Sequence, residues 1–197
     1  MTEATLDRRE VVQSLLDRRE GLLVVAGLGS SAWDCTAAGD TPLTFPLWGA
    51  MGLACMVGLG LALAQPRRRV LVVTGDGEML MGLGSLATIA ARRPGNLAIV
   101  VLDNERYGET GMQKTHTAYG TDLAAVALAC GFAKAETILE GAQLAALRAS
   151  VHGDKGPIFY QVKVKRDAAP LVLPPRDGAY LKHRFREALL GETKTSR

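Results

Sequence analysis

The sequence predicts an α/β protein, a doubly wound domain whose mainly parallel sheet carries helices on both faces. Three short apolar runs, at 22–26, 70–74 and 97–102, are continuous rather than alternating, which is typical of strands covered on both faces. Stretches with helical spacing separate these runs, and glycine-rich turns follow the first two. We therefore expect a single domain over residues 1–190 and a flexible C-terminal tail at 191–197.

The other elements follow from apolar spacing, capping residues and breaks. The charged, amphipathic start of the chain predicts a first helix, and a fourth apolar run predicts a strand at 158–164. Helices are expected from apolar spacing and from the caps and breaks that bound them, at about 83–90, 123–130, 142–151 and 177–190.

One apolar segment, Leu47 to Ala64, fits two interpretations. Its 18 uncharged residues reach the minimum length of a membrane span, and the basic triplet 67–69 follows it. Its many glycine and alanine residues, and the strand-like run directly after it, favour a helix buried in the protein. We expect a buried helix and no membrane association.

Composition excludes several classes of protein. A hydrophobic fraction of 48% rules out a disordered chain, and three cysteines without C-x-x-C spacing support neither a disulfide framework nor a zinc site. The net charge of +3 is scattered in short basic groups with few aromatic residues among them, so nucleic acid is not indicated. The N-terminus lacks an apolar signal-peptide core, which predicts a cytoplasmic protein.

The first glycine-rich turn, Gly27 to Ala32, nearly fits the dinucleotide fingerprint G-x-G-x-x-A. The nicotinamide interpretation also needs an acidic residue near position 50, where the chain is apolar. A tight turn from strand to helix is therefore favoured, although its small residues could still contact a phosphate.

The second glycine-rich turn predicts a metal site. Gly75-Asp76-Gly77 follows one strand, and the next strand ends in Asp103-Asn104, with 25 residues between Gly77 and that pair. Alone, Asp76 could be a helix cap and Asn104 a turn residue. Consecutive parallel strands would bring both to one sheet edge, where Mg²⁺ could bind their oxygens, a backbone carbonyl near Arg106 and a diphosphate.

This spacing resembles the motif of thiamine diphosphate enzymes, here GDGEMLMGLGSLATIAARRPGNLAIVVLDN at 75–104. The resemblance covers about residues 21–164 and implies that the chain binds thiamine diphosphate and Mg²⁺. The implied metal ligands are Asp76, Asn104 and the carbonyl of Arg106.

The same resemblance implies roles for further residues. WGAMG at 48–52 is similar to the family's G-x-M-G segment, in which the carbonyl of Gly49 accepts a hydrogen bond from the aminopyrimidine and Met51 wedges under the cofactor. The implied contacts to the diphosphate are Ser30, Gly75, Gly77 and Glu78. Two positions depart from the common pattern. Glu78 replaces a small residue, so its carboxylate must point away from the phosphate, and Asp103 replaces the first asparagine of an Asn-Asn pair.

Within the family, the LATIA helix and the run LDNERYGETGMQKTH are most similar to β subunits of sulfopyruvate decarboxylase and to the equivalent part of phosphonopyruvate decarboxylase. This similarity implies decarboxylation of a small anionic 2-oxoacid. His116, Gln113 and Lys114 are candidate contacts for the substrate, with Met51 and His116 the residues expected to serve catalysis. A solvated loop is an equally good interpretation of 113–116.

The family also implies a partner. Its cofactor is activated by a glutamate on a separate pyrimidine-binding domain, and no second strand-and-helix unit is present here. We expect this domain and its glutamate on an α subunit. The alternatives are a carboligase subunit, which would add the same intermediate to a second carbonyl compound, and a non-catalytic module that retains the fold.

Overall fold

Six parallel strands form the central sheet of this protein, which is seen in a computed structural model that describes residues 4–166 and 169–191. A two-stranded antiparallel hairpin of β5 and β6 lies outside the sheet. In chain order, the strands are β1 (Leu23–Ala26), β2 (Thr44–Pro46), β3 (Val70–Gly75), β4 (Leu97–Asp103), β5 (Arg106–Tyr107), β6 (Gln113–Lys114), β7 (Lys134–Ile138) and β8 (Ile158–Lys163).

In the described residues, eight α-helices connect and cover the strands. They are α1 (Arg8–Leu16), α2 (Ser30–Ala37), α3 (Ala54–Ala64), α4 (Asp76–Met81), α5 (Ser85–Arg92), α6 (Leu123–Cys130), α7 (Leu144–Gly153) and α8 (Gly178–Leu190). Single 3-10 turns also occur at Gly108–Thr110, His116–Tyr119 and Gly141–Gln143.

The strand order β2-β1-β3-β4-β8-β7 places the turns of interest at one edge of the sheet. The chain leaves β1 for β2 and returns to β3 on the other side of β1, so a topological switch point lies between β1 and β3. Ala26 pairs with Val73, and Gly75 pairs with Leu102. The two glycine turns and the Asp103-Asn104 pair therefore follow neighbouring strands at the same edge.

Both faces of the sheet are covered by apolar side chains, as the continuous apolar runs predict. On one face Val24, Leu71 and Val100 belong to a buried cluster that includes residues of α1, α2 and α7. On the other face Val25, Val72 and Ile99 pack with residues of α3, α5 and α6. The predicted doubly wound α/β fold is confirmed.

The apolar segment 47–64 is helical only in part. The helix α3 begins at Ala54 and has 11 residues, because Ala50 and Gly52 take left-handed backbone conformations with φ of 58° and 89°. In the described ranges no helix has the length and hydropathy that a membrane span requires. The predicted helix over the whole segment is thus wrong for 47–53, which form an irregular approach to α3. The predicted tail lies outside the described residues from position 192 onward.

Candidate active site

Asp76 lies at the C-terminal end of β3, where it is the first residue of α4. Its carboxylate is only 2% exposed and accepts a hydrogen bond at Oδ2 from the Thr115 hydroxyl, at 2.5 Å. Burial, and next the charge of Asp103, raise the pKa of Asp76 to about 7. A divalent cation would offset both effects, so this carboxylate suits a metal ligand.

Asp103, at the end of β4, is fully buried and turned toward the protein. Its Oδ1 accepts hydrogen bonds from the Thr117 hydroxyl at 2.8 Å and from the backbone N–H of Glu105 at 3.0 Å. Its Oδ2 accepts one from the Gln161 amide at 2.6 Å and lies 2.8 Å from the Lys163 ammonium. With these four partners both carboxylate oxygens of Asp103 are already bonded within the protein. Asn104, the next residue, is therefore the one available to the metal site.

Asn104 follows in a tight turn. Its side-chain oxygen accepts a hydrogen bond from the backbone N–H of Arg106 at 3.0 Å, and Glu105 between them has a left-handed φ of 62°. The Glu105 carboxylate pairs with Lys163 at 3.1 Å and with Arg166 at 2.5 Å. These contacts fix the loop that carries Asn104 and the carbonyl of Arg106.

A metal ion at this site would need ligands other than carboxylate and imidazole side chains. Among the described residues, no three His, Cys, Asp or Glu side chains are grouped as ligands of one ion. A site that uses Asp76, the amide oxygen of Asn104 and a backbone carbonyl is of the kind that Mg²⁺ completes with phosphate oxygens and water.

The segment Gly49 to Gly52 lies against the Gly75-Asp76-Gly77 turn. The methyl group of Met51 is 3.7 Å from the position that a Cβ atom would take on Gly77, and the Met51 side chain is 36% exposed. Gly49 is exposed, and no atom would be within 4 Å of a Cβ built on it. The structure therefore brings the predicted wedge and the predicted metal turn together.

An open cleft of about 530 Å³ adjoins this turn. His116 lines it, and so do Gly77, Leu80, Met81, Leu83, Tyr107 and Thr121. Tyr107 has no role in the sequence prediction, yet its ring would be 2.7 Å from a Cβ on Gly77. The signals that could have indicated it are its position directly after the metal-site loop and its place in the run LDNERYGETGMQKTH.

Gln113 and Lys114 are not among the residues that line the cleft. Gln113 is exposed and hydrogen-bonds the carbonyl and hydroxyl of Thr110. The Lys114 ammonium stands 5.6 Å from the centre of the Tyr119 ring. Of the three candidate substrate contacts, the structure places only His116 at the cleft.

Glu78 connects the two glycine turns. Its carboxylate is buried, and Oε2 accepts hydrogen bonds from the Thr74 hydroxyl at 2.7 Å and from the backbone N–H of Leu28 at 3.1 Å. Burial raises the pKa of Glu78, although the hydrogen bonds from the Thr74 hydroxyl and the Leu28 N–H oppose the rise. Within the part of the chain that the structure describes, Oε1 has no hydrogen-bond partner.

Ser30 is the first residue of α2 and is half-buried. The preceding Gly29 has a left-handed φ of 77°, and no side chain of the described residues caps the free N–H groups at this helix start. The left-handed φ favours glycine at position 29, and a Cβ there would also require the exposed carboxylate of Glu109, 1.7 Å away, to move aside. The uncapped start of α2 and the buried Asp76 carboxylate fit a diphosphate with its metal ion.

Comparison with known proteins decides the family. The family model described as "Thiamine pyrophosphate enzyme, C-terminal TPP binding domain" matches residues 29–162. The chain belongs to the thiamine pyrophosphate enzymes. The resemblance that the GDG motif and its spacing indicated is thereby confirmed.

Two relatives locate this thiamine pyrophosphate enzyme chain within the family. It is 39% identical over 189 residues to the sulfopyruvate decarboxylase subunit beta of Methanothermobacter thermautotrophicus, covering 96% of this chain and 98% of the relative. It is 41% identical over 142 residues to the phosphonopyruvate decarboxylase of Streptomyces viridochromogenes, covering 72% of this chain but 35% of that protein.

The fold has solved counterparts. The crystal structure of benzoylformate decarboxylase from Polynucleobacter necessarius superposes with a TM-score of 0.73 at 20% identity. The match covers 86% of this chain and 36% of that one. At this identity the likeness supports the fold alone.

Proposed function

We propose that this chain is the β subunit of a heteromeric thiamine diphosphate-dependent decarboxylase. Its substrate would be a small anionic 2-oxoacid of the sulfopyruvate or phosphonopyruvate type, and its products the aldehyde and CO₂. The observation that carries the proposal is the meeting of Met51, Asp76 and the Asn104 loop at one sheet edge, in a chain of nearly the same extent as a sulfopyruvate decarboxylase β subunit.

The metal would be Mg²⁺, held by Asp76, by the side-chain oxygen of Asn104 and by the backbone carbonyl of Arg106. The diphosphate would be held at the start of α2 by Ser30 and at the second turn by Gly75 and by the backbone N–H groups of Gly77 and Glu78. The buried carboxylate of Glu78 is turned to the N–H of Leu28, where it forms part of the scaffold.

Thiamine diphosphate, when bound, supplies a carbanion that adds to the 2-oxo carbon and a ring that takes up the electrons released with CO₂. The chain's own residues would position the cofactor and the substrate. Met51, which lies beside Gly77, would wedge under the cofactor, and the carbonyl of Gly49 would accept a hydrogen bond from the aminopyrimidine. His116 faces the cleft, where its imidazole can bind the substrate's anionic group or donate a proton.

The partner would be an α subunit that carries the pyrimidine-binding domain and the activating glutamate. Two observations support it. The relative that matches this chain almost end to end is named subunit beta, whereas the phosphonopyruvate decarboxylase is a longer chain of which this one covers 35%.

The three cysteines are free, which fits the reducing cytoplasm as the location of the assembly.

The proposal is tested by coexpressing the chain with the α subunit that co-purifies with it and assaying the pair on a panel of 2-oxoacids. Asp76→Ala should abolish Mg²⁺-dependent binding of thiamine diphosphate, and Asn104→Ala should weaken it severely. Asp17→Ala, which removes an exposed carboxylate of an ion pair with Arg148, serves as the control. Unchanged cofactor affinity of the Asp76 or Asn104 variant at equal Mg²⁺ would show that the metal assignment is wrong.

A further inference from the structure

Thr115, His116 and Thr117 alternate between the interior and the cleft. Thr115 is fully buried and Thr117 is 4% exposed, whereas His116 between them is exposed and lines the cleft. Two buried hydroxyls in a loop segment need partners, because an unpaired buried hydroxyl is costly. The partners identify what this segment does.

Both hydroxyls contact carboxylates at the ends of neighbouring strands: Asp76, directly after β3, and Asp103, the last residue of β4. Thr115 Oγ1 is 2.5 Å from Oδ2 of Asp76 and 2.9 Å from Thr117 Oγ1. Thr117 Oγ1 is 2.8 Å from Oδ1 of Asp103 and 3.4 Å from Oδ2 of Asp76. The two threonines thus form a bridge between the two strand ends.

The bridge reaches both sides of the proposed metal site. On one side it contacts Asp76 directly. On the other side Asp103 Oδ1 also accepts a hydrogen bond from the backbone N–H of Glu105, which forms the turn that presents Asn104. A shift of either threonine would therefore change the distance between the Asp76 carboxylate and the Asn104 amide oxygen.

Asp76 depends on this bridge more than Asp103 does. Asp103 has three other partners in Gln161, Lys163 and the N–H of Glu105. Within residues 4–166 and 169–191, Asp76 is contacted by two side-chain hydroxyls, Thr115 at 2.5 Å and Thr117 at 3.4 Å, and Thr117 divides its single proton between this contact and the shorter one to Asp103. Without them the carboxylate could turn about its Cβ–Cγ bond, and one of its oxygens would be buried without a donor.

We propose that Thr115 and Thr117 are positioning residues, which orient the Asp76 carboxylate for the metal ion and set its distance from the Asn104 loop. Neither residue touches the metal or the substrate. This inference rests on the proposed function, because it requires that Asp76 and Asn104 bind the ion.

The test measures metal affinity rather than activity. Mn²⁺ is titrated into the assembly with its partner in the presence of saturating thiamine diphosphate, and free Mn²⁺ is followed by electron paramagnetic resonance. Thr115→Val keeps the shape and removes the hydroxyl, and Thr115→Ser keeps the hydroxyl. Thr117→Val and Thr117→Ser form the second pair, and Thr110→Val, an exposed threonine of the neighbouring loop, is the control.

Thr115→Val should bind Mn²⁺ about tenfold or more weakly, the size expected for a lost hydrogen bond to a charged group. Thr117→Val should show a smaller loss, and both serine variants should stay within about twofold of the parent, as should Thr110→Val. A merely structural role would lower the melting temperature of the cofactor-free assembly but leave Mn²⁺ affinity unchanged. Affinity within about twofold of the parent in Thr115→Val overturns the inference.

The two threonines are separate tests, so Thr117→Val decides if Thr115→Val does not fold. An unchanged affinity in that variant overturns the inference equally. Failure of the proposed function is distinguishable, because the parent assembly itself would then bind no Mn²⁺ together with thiamine diphosphate. That result would overturn both.

Discussion

A Cβ atom on Gly82 would lie 2.0 Å from the backbone carbonyl oxygen of Gly52, so the backbone at the end of α4 packs directly against the backbone of the segment that carries Met51. The neighbouring Gly84 has helical φ and ψ of −61° and −18°, and a Cβ there would meet no atom within 4 Å. An added methyl group would therefore clash at Gly82 and fit at Gly84, so the two positions serve as test and control.

Gly82→Ala should push the 49–52 segment away and destabilise the protein by about 1–3 kcal/mol, as overpacking does. It should also lower turnover, because Met51 moves with the segment. Gly84→Ala should leave turnover unchanged and be neutral or stabilising by up to about 1 kcal/mol. Thermal unfolding and steady-state rates of the assembled protein measure both effects. Equal behaviour of the two variants would contradict the contact.

Met51→Ala should reduce turnover far more than cofactor affinity. The metal and diphosphate contacts at Asp76 and Ser30 would remain, whereas the loss of the wedge would let the cofactor rings relax, which can cost about 10²-fold in rate. Met112→Ala, which truncates an exposed methionine between β5 and β6, is the control. A loss confined to the binding of thiamine diphosphate would indicate that Met51 is ordinary packing.

The surface of α3 should bind the partner subunit. Leu53, Met56, Val57 and Leu63 lie on one side of this helix and its start, and all are exposed in the chain alone. Met56→Lys should weaken association with the α subunit about tenfold or more, as loss of an apolar anchor does, and should reduce self-association of the isolated chain. Leu139→Lys, a change at an exposed leucine outside α3, should do neither.

Sedimentation of the chain with and without its partner measures this effect. If the activating glutamate belongs to the α subunit, as proposed, the isolated chain should show no decarboxylase activity. Decarboxylation by the purified single chain at the rate of the complex would refute the need for a partner.

Acid should abolish the contribution of Asp154, a residue far from the cleft, to the free energy of unfolding. Hydrogen bonds from Lys134 and Ser150 lower the pKa of Asp154, which follows α7. A carboxyl whose pKa is lower in the folded state stabilises the fold above its unfolded pKa, and this stabilisation is lost as the pH falls through the folded value. The parent should therefore exceed Asp154→Asn in free energy of unfolding at neutral pH, and the difference should shrink below the ordinary carboxyl range.

Chemical unfolding at a series of pH values measures that difference. In a Lys134→Met background the pH dependence of the difference should be largely lost, because the principal donor is gone. A difference that persists at the lowest pH, or that survives in this background, would assign the stabilisation to another contact.

The central strands and their burial on both faces can be predicted from the sequence, because their apolar runs are uninterrupted. The bounds of β3, β4 and β8 differ from those expected by a single residue. No such signal exists for the edge strands. β2 has three residues and ends in proline, and β7 is polar and half-exposed, so neither shows the pattern of a buried strand.

The candidate site divides in the same way. Motif spacing brings out Asp76, Asn104 and Met51, because each belongs to a local sequence pattern. Tyr107 and Thr115 lie in the run LDNERYGETGMQKTH, but that run assigns neither of them a role, and Thr117 follows it. Their role depends on how the loop after β5 returns over the ends of β3 and β4, a path that no local pattern of residues encodes.

The contact between Gly27 and Glu78 also constrains which sequences can share this site. A Cβ atom on Gly27 would be 1.9 Å from Oε2 of Glu78, so the glutamate and a side chain at position 27 compete for one space. Gly27→Ala alone should therefore be damaging. The same change combined with Glu78→Ser should be less damaging, with the remaining crowding coming from Thr74 Oγ1, 2.9 Å from the new Cβ. Among homologous chains, positions 27 and 78 should vary together: a glutamate after the GDG motif should require glycine at the end of the first strand.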